Sequence, residues 1–142
     1  SACTSVTDTR TFANTSGTVP TAVWIAWEPA STAQCDLFDV TIANASGTVF
    51  DGDLCELLDN YPDGVEVLPQ VDPGGSSDVT IEVTADPGGT WTSPLVLNLN
   101  SRTMWGQWNA TPPFSFGWWK ESDAAFTIEL TRTETTLTVI KE

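Results

Sequence analysis

In DVTIEVTA, residues 78–85, Val79, Ile81 and Val83 alternate with Asp78, Thr80, Glu82 and Thr84. Successive side chains of an extended chain point to opposite faces, so this stretch is a strand with one face in a core and the other in water. The same mixture of Val, Ile, Thr and aromatic residues with polar ones returns at 39–42, 95–99, 125–131 and 135–140, and Gly, Pro, Asn or Asp interrupts it every eight to twelve positions. Spacing of that kind accommodates strands and tight turns and little else. It predicts an all-β protein: a single antiparallel β-sandwich with at most one short helix.

The segment 52–60 fits a helix as well as a loop, because Leu54, Leu57 and Leu58 fall at i, i+3 and i+4 behind Asp51 as a candidate cap. A helix there would end at Pro62 and the Asp63-Gly64 turn pair, after which VEVLPQV resumes an extended pattern. The Pro-Gly-Gly sites at 73–75 and 87–89 read as turns. No linker divides the 142 residues, which suit one domain over 1–142. A chain of that size buries roughly two thirds of its unfolded surface.

Two stretches nearly coincide, FANTSGTV at 12–19 and IANASGTV at 42–49. In each, an apolar residue closes a strand, Asn and Ser bond nearby backbone, Gly tolerates positive φ, and Thr-Val starts outward again. The flanks TDTR and FDVT do not match, and neither do PTAV and FDGD. The phrase therefore reads as two similar turns of one β-domain and not as a duplicated unit.

Cys3, Cys35 and Cys55 form no CxxC pair, which removes the usual zinc and redox motifs. In an oxidising compartment they would give one disulfide and a leftover thiol. Cys35 with Cys55 is the preferred pair, closing a modest loop worth about 3 kcal/mol on the chain-entropy model. The chain opens on Ser1 and carries Asn-x-Ser/Thr sequons at Asn14, Asn44 and Asn109. These features point to a mature secreted protein with those asparagines as glycosylation candidates.

No apolar run approaches the eighteen or so residues of a membrane span, so no transmembrane segment is expected. Nineteen acidic residues against five basic ones give a net charge of −14. That charge repels nucleic acid and anionic lipid alike, so any membrane target must be neutral or zwitterionic at its surface. A solvated secreted surface and a high-salt habitat would both select such a balance.

Histidine is absent. Its absence removes Ser-His-Asp and Cys-His catalysis, His-based zinc sites and the usual neutral-pH proton shuttle. A carboxylate pair drawn from Glu28, Glu56, Glu66 or Glu121 is formally open to glycoside hydrolysis, but scattered surface acids are the simpler account. Neither enzymatic activity nor a cofactor is expected. Acids crowd between Asp51 and Asp72, and Asp51 with Asp53 could contribute to a calcium site, but the EF-hand spacing is missing and no metal is assigned.

The informative stretch is MWGQWNATPPFSFGWWK, residues 104–120, with four Trp and two Phe around a Pro-Pro turn. In an extended chain Trp105 and Trp108 lie on opposite faces, as do Trp118 and Trp119, so one core can take only about half of these rings. The others would be free to stack on sugars or to sit at a membrane interface. Lys120 would then pair with a phosphate or a carboxylate. Trp24 and Trp27, in VWIAWE, would join either this surface or the core.

From residue 38 onward the order FDVTIANASGTVF, a Pro62-Asp63-Gly64 turn, VDPGGSSDVTIEV, GGTWTSPLVLNL and WGQWNATPPFSFGWW resembles the actinoporin-like and aegerolysin-like sandwiches. The resemblance implies a compact antiparallel sandwich that recognises phosphocholine-type or sphingolipid headgroups through aromatic loops, some relatives taking glycans instead. The platform it implies is Trp105, Trp108, Phe114, Phe116, Trp118 and Trp119, with Tyr61 as a further candidate. Pore formation is not implied, because residues 1–20 carry no apolar helical stripe and end at Pro20. The expected function is a secreted, non-catalytic protein binding zwitterionic lipid or sphingolipid headgroups through its aromatic segment. A lectin of the same fold and a self-assembling subunit of an extracellular filament, coat or layer are the alternatives.

Overall fold

A computed structural model describes residues 5–26, 28–29, 35–85, 97–98, 106–108 and 116–134. In chain order these form β1 (Ser5–Asn14), β2 (Thr21–Ala26), β3 (Glu28–Pro29), a 3-10 turn (Cys35–Leu37), β4 (Phe38–Asn44), β5 (Gly47–Asp53), α1 (Leu54–Asn60), β6 (Val65–Val71), β7 (Ser76–Ala85), β8 (Leu97–Asn98), β9 (Gly106–Trp108), β10 (Phe116–Lys120) and β11 (Phe126–Glu134). Every pairing is antiparallel. A five-stranded sheet runs β11-β1-β7-β4-β5, a four-stranded sheet runs β6-β2-β10-β9, and β3 pairs with β8. The all-β expectation holds, with one short helix. Within 95–99 the described strand is Leu97–Asn98, and 135–140 lies outside the described residues.

The core follows from the alternation. Val79, Ile81 and Val83 of β7 are fully buried, as are Val40 and Ile42 of β4, Val23 and Ile25 of β2, and Val67 of β6. The two sheets meet where Phe12 packs edge-on against Trp118, with ring centroids 5.4 Å apart and planes at 77°. Phe12 also meets Phe126 of β11 edge-on at 6.3 Å. Edge-to-face pairs of this kind contribute about 0.5–1.5 kcal/mol beyond the area they bury.

β1 is the second strand of the five-stranded sheet, yet no apolar alternation marks it. Its inward positions are Asp8, Arg10, Phe12 and Asn14, of which Asp8 is fully buried and Asn14 is 1% exposed. The register sets Asp8 beside Arg132 of β11 on one side and Ile81 of β7 on the other. Buried polar groups disguise the strand, and its outward threonines complete the disguise.

The repeated phrase has a specific structural use. At the end of β1 the Asn14 Oδ1 accepts from the Ser16 amide at 3.0 Å, while Nδ2 donates to the Val19 and Val71 carbonyls at 2.8 and 3.0 Å. At the end of β4 the Asn44 Oδ1 accepts from the Ser46 amide at 2.8 Å, and Nδ2 donates to the Val67 carbonyl at 2.8 Å. Both asparagines thus leave the five-stranded sheet and fasten to β6, an edge strand of the four-stranded sheet. The two phrases share the asparagine clamp but not the turn: 45–46 form a tight turn of the β4–β5 hairpin with Gly47 at φ +135°, whereas 15–20 cross from β1 to β2 in the other sheet and Gly17 has no positive φ.

α1 forms where the leucine spacing allowed it, with Leu54, Leu57 and Leu58 buried. Its cap is Asp53 and not Asp51: the Asp53 Oδ1 accepts from the Glu56 amide at 2.8 Å. The shift arises because β5 continues through Asp53, leaving Asp51 on the strand to accept from the Thr41 hydroxyl at 3.2 Å. After the helix the chain turns at Gly64, which has φ +101° and donates to the Tyr61 carbonyl at 3.0 Å. Only glycine adopts that conformation without strain. Cys35 and Cys55 form the expected disulfide, with Cα atoms 5.0 Å apart, tying the 3-10 turn to α1. Cys3 lies outside the described residues.

Candidate functional site

β10 lies inside the four-stranded sheet, between β2 and β9. Trp118 and Trp119 therefore go to opposite faces, as their spacing requires, but both faces are covered: the two residues are 4% and 7% exposed. Trp118 fills the space between the sheets against Phe12. Trp119 stacks on Trp24 of β2 across the strand pair, centroids 5.5 Å apart at an interplanar angle of 21°. Gly64 makes room for it, since a Cβ there would come within 2.9 Å of the Trp119 ring and 2.6 Å of the Ile25 carbonyl oxygen. This corrects the expectation of an open platform containing Trp118 and Trp119. These two rings root the segment in the fold.

Two further candidates are also committed to the protein itself. Lys120 is half-buried and its Nζ donates to the Ala124 carbonyl, so its ammonium is not held out for a phosphate. Tyr61 is half-buried at the C-terminus of α1, where its amide donates to the Leu57 carbonyl at 3.1 Å and its ring meets Phe50 edge-on at 5.9 Å. The proposed calcium contributors fare similarly, with Asp53 capping α1 and Asp51 bonded by Thr41. No three carboxylates, thiols or imidazoles are grouped as a metal site among the described residues.

What the fold does bring together is the base of a hairpin. Phe116 and Trp108 are direct cross-strand partners, followed by Gly117 with Gln107 and Trp118 with Gly106. The chain that joins β9 to β10 is therefore 109–115, NATPPFS, and it leaves from the β9 edge of the four-stranded sheet. Trp105, Phe114 and the sequon Asn109 lie outside the described residues.

A second surface was missed by sequence reasoning. The outward face of the five-stranded sheet carries threonine hydroxyls bonded across strands: Thr9 with Thr80 at 2.8 Å, and Thr11, Thr7 and Thr41 to the carboxylates of Asp78, Glu82 and Asp51 at 2.6, 3.4 and 3.2 Å. The register adds Asp39 and Glu129 positions to that face, and no Lys or Arg among the described residues. The polar half of DVTIEVTA signalled it, but its extent depends on β1, whose alternation is hidden. Near the other sheet an open cleft of about 240 Å³ is lined by Pro20, Thr21, Pro69, Gln70 and Glu121. It holds no buried charge.

No family model, curated protein or solved structure matches this chain. The Cys35–Cys55 disulfide fits an oxidising compartment. No helix among the described residues is long and apolar enough to cross a membrane.

Proposed function

We propose that this protein is an extracellular, non-catalytic binding domain whose ligand contact is the aromatic hairpin between β9 and β10. The observation that carries the reading is the pairing of Phe116 with Trp108 at the base of that hairpin, on an edge of the four-stranded sheet, with Trp118 and Trp119 buried behind it. Two buried indoles, Trp118 and Trp119, anchor β10 just after Phe116, and an anchored contact strand loses less conformational entropy on binding than a free one. The ligand is a zwitterionic headgroup of the phosphocholine type, since aromatic faces attract quaternary ammonium groups and a net charge of −14 disfavours anionic surfaces. The resemblance to actinoporin-like and aegerolysin-like sandwiches supports the same choice.

The contact residues in this reading are Trp105, Trp108, Phe114 and Phe116. Trp118 and Trp119 are supporting residues. The test is co-sedimentation with phosphatidylcholine vesicles, with and without sphingomyelin, of the parent and of a Trp108→Ser, Phe114→Ser double variant. Binding by the parent and its loss in a variant that melts like the parent is the expected result. Undiminished binding by the variant overturns the site. Absence of binding to every vesicle overturns the ligand, and glycan-array hits or concentration-dependent assembly would then select the lectin or the filament subunit.

A further inference from the structure

The two phrases carry two Asn-x-Ser sequons that differ only in the middle residue, Thr15 against Ala45, and the fold treats them differently. We infer that Asn44 accepts an N-linked glycan in the folded protein and that Asn14 cannot. Asn14 spends both N–H groups of its amide on buried or half-buried carbonyls, those of Val19 and Val71, and is 1% exposed. Glycosylation leaves an asparagine amide with a single N–H, so one of those bonds must break and a sugar must enter a closed interior. Asn14 modification and the joined sheets exclude each other.

Asn44 spends one N–H, on the Val67 carbonyl, and its second has no acceptor among the described residues. It is half-buried, and Ala45, Ser46, Gly47 and Thr48 after it are all exposed. Its Oδ1 accepts only a backbone amide, that of Ser46, so the Ser46 hydroxyl is not part of the clamp. Transfer joins Asn44 Nδ2 to the anomeric carbon of a saccharide carried on a polyprenyl diphosphate. The bond from that carbon to the phosphate oxygen breaks, and the Nδ2 proton leaves with the polyprenyl diphosphate. The one remaining N–H then serves the Val67 carbonyl.

The full chain, secreted from a glycosylating eukaryotic host with an Asn-Gly-Thr sequon appended at its C-terminus as a positive control, gives the test. Monomer and aggregate are separated, and glycopeptides are mapped by enzymatic deglycosylation in ¹⁸O water. With the control sequon filled, Asn44 should be occupied in the monomer and Asn14 should be empty there, with any Asn14-linked glycan confined to the aggregate. Ser46→Ala should remove the Asn44 glycan and preserve the unglycosylated protein's melting temperature, whereas Ser46→Thr should raise occupancy. Glycan on Asn14 in a monomer that melts like the parent overturns the inference. So does an empty Asn44 in both the parent and Ser46→Thr while the control is filled.

Discussion

In the five-stranded sheet β1 pairs with β7 from Ser5–Thr84 to Ala13–Ser76 without a break, whereas β2 meets β6 in the four-stranded sheet through a register that shifts twice between Thr21 and Trp24. Apart from one register shift between Ile42 and Ala43 where β4 meets β5, the five-stranded sheet is regular, and outward threonine hydroxyls of β1 and β4 bond the next strand. The irregular one contains Pro69 in β6, adjacent indoles in β10 and a positive-φ glycine just ahead of β6. Bulges and glycines re-aim side chains and let large rings approach backbone. The difference teaches where specificity resides: the unbroken ladders of β1, β7 and β11 stabilise the first sheet, and a few large, closely fitted groups stabilise the second.

That contrast can be broken most severely where the sheets meet. Phe12→Ala removes the ring shared by Trp118 and Phe126 and should cost about 3–5 kcal/mol in urea denaturation. A loss below about 1 kcal/mol would mean the interface closes without it. Gly64→Ala sharpens the comparison, because strain at φ +101° adds to contact with Trp119, for about 2–4 kcal/mol. Gly74→Ala, at φ +77° but with open space around its Cβ, should cost only about 1–2 kcal/mol, and equal losses at the two sites would show that backbone strain alone matters.

Joint replacement of Cys35 and Cys55 by Ser should lower stability by about 3 kcal/mol and leave strand content by circular dichroism unchanged. Asn14→Ala leaves two carbonyls short of a partner and should cost about 1–3 kcal/mol. Asn44→Ala leaves one, and a loss as large as that of Asn14→Ala would contradict the unequal clamps. Thr9→Val, on the outward ladder, should stay within about 0.5 kcal/mol by the same measurement.

Much of the fold was legible in the chain. β4, β7 and β11 announced themselves by period-two alternation and β6 by the extended pattern after the Asp63-Gly64 turn, and the disulfide pair and the leucine face of α1 were read correctly. β1 was not, because Asp8 and Arg10 occupy inward positions where the pattern calls for apolar residues. The cap of α1 was misplaced by two residues because nothing local says where β5 ends. Of the candidate site, the opposed orientation of Trp118 and Trp119 was evident from their adjacency, but their burial was not. Burial required β10 to lie between two strands with both faces covered, by Phe12 on one side and Trp24 on the other.

The sequence by itself determined the strands with apolar alternation, the turns between them, the charge that repels polyanions and the absence of histidine chemistry. Each of these is written in a single residue type or within a few consecutive residues, where steric preference and the two-residue period act directly. Tertiary structure alone decided which aromatic rings are anchors, that the repeated Asn turns clamp β6, and that one sequon is closed while its twin is open. Those outcomes depend on groups far apart in the chain, such as Asn14 with Val71 and Phe12 with Trp118, whose meeting no local pattern encodes.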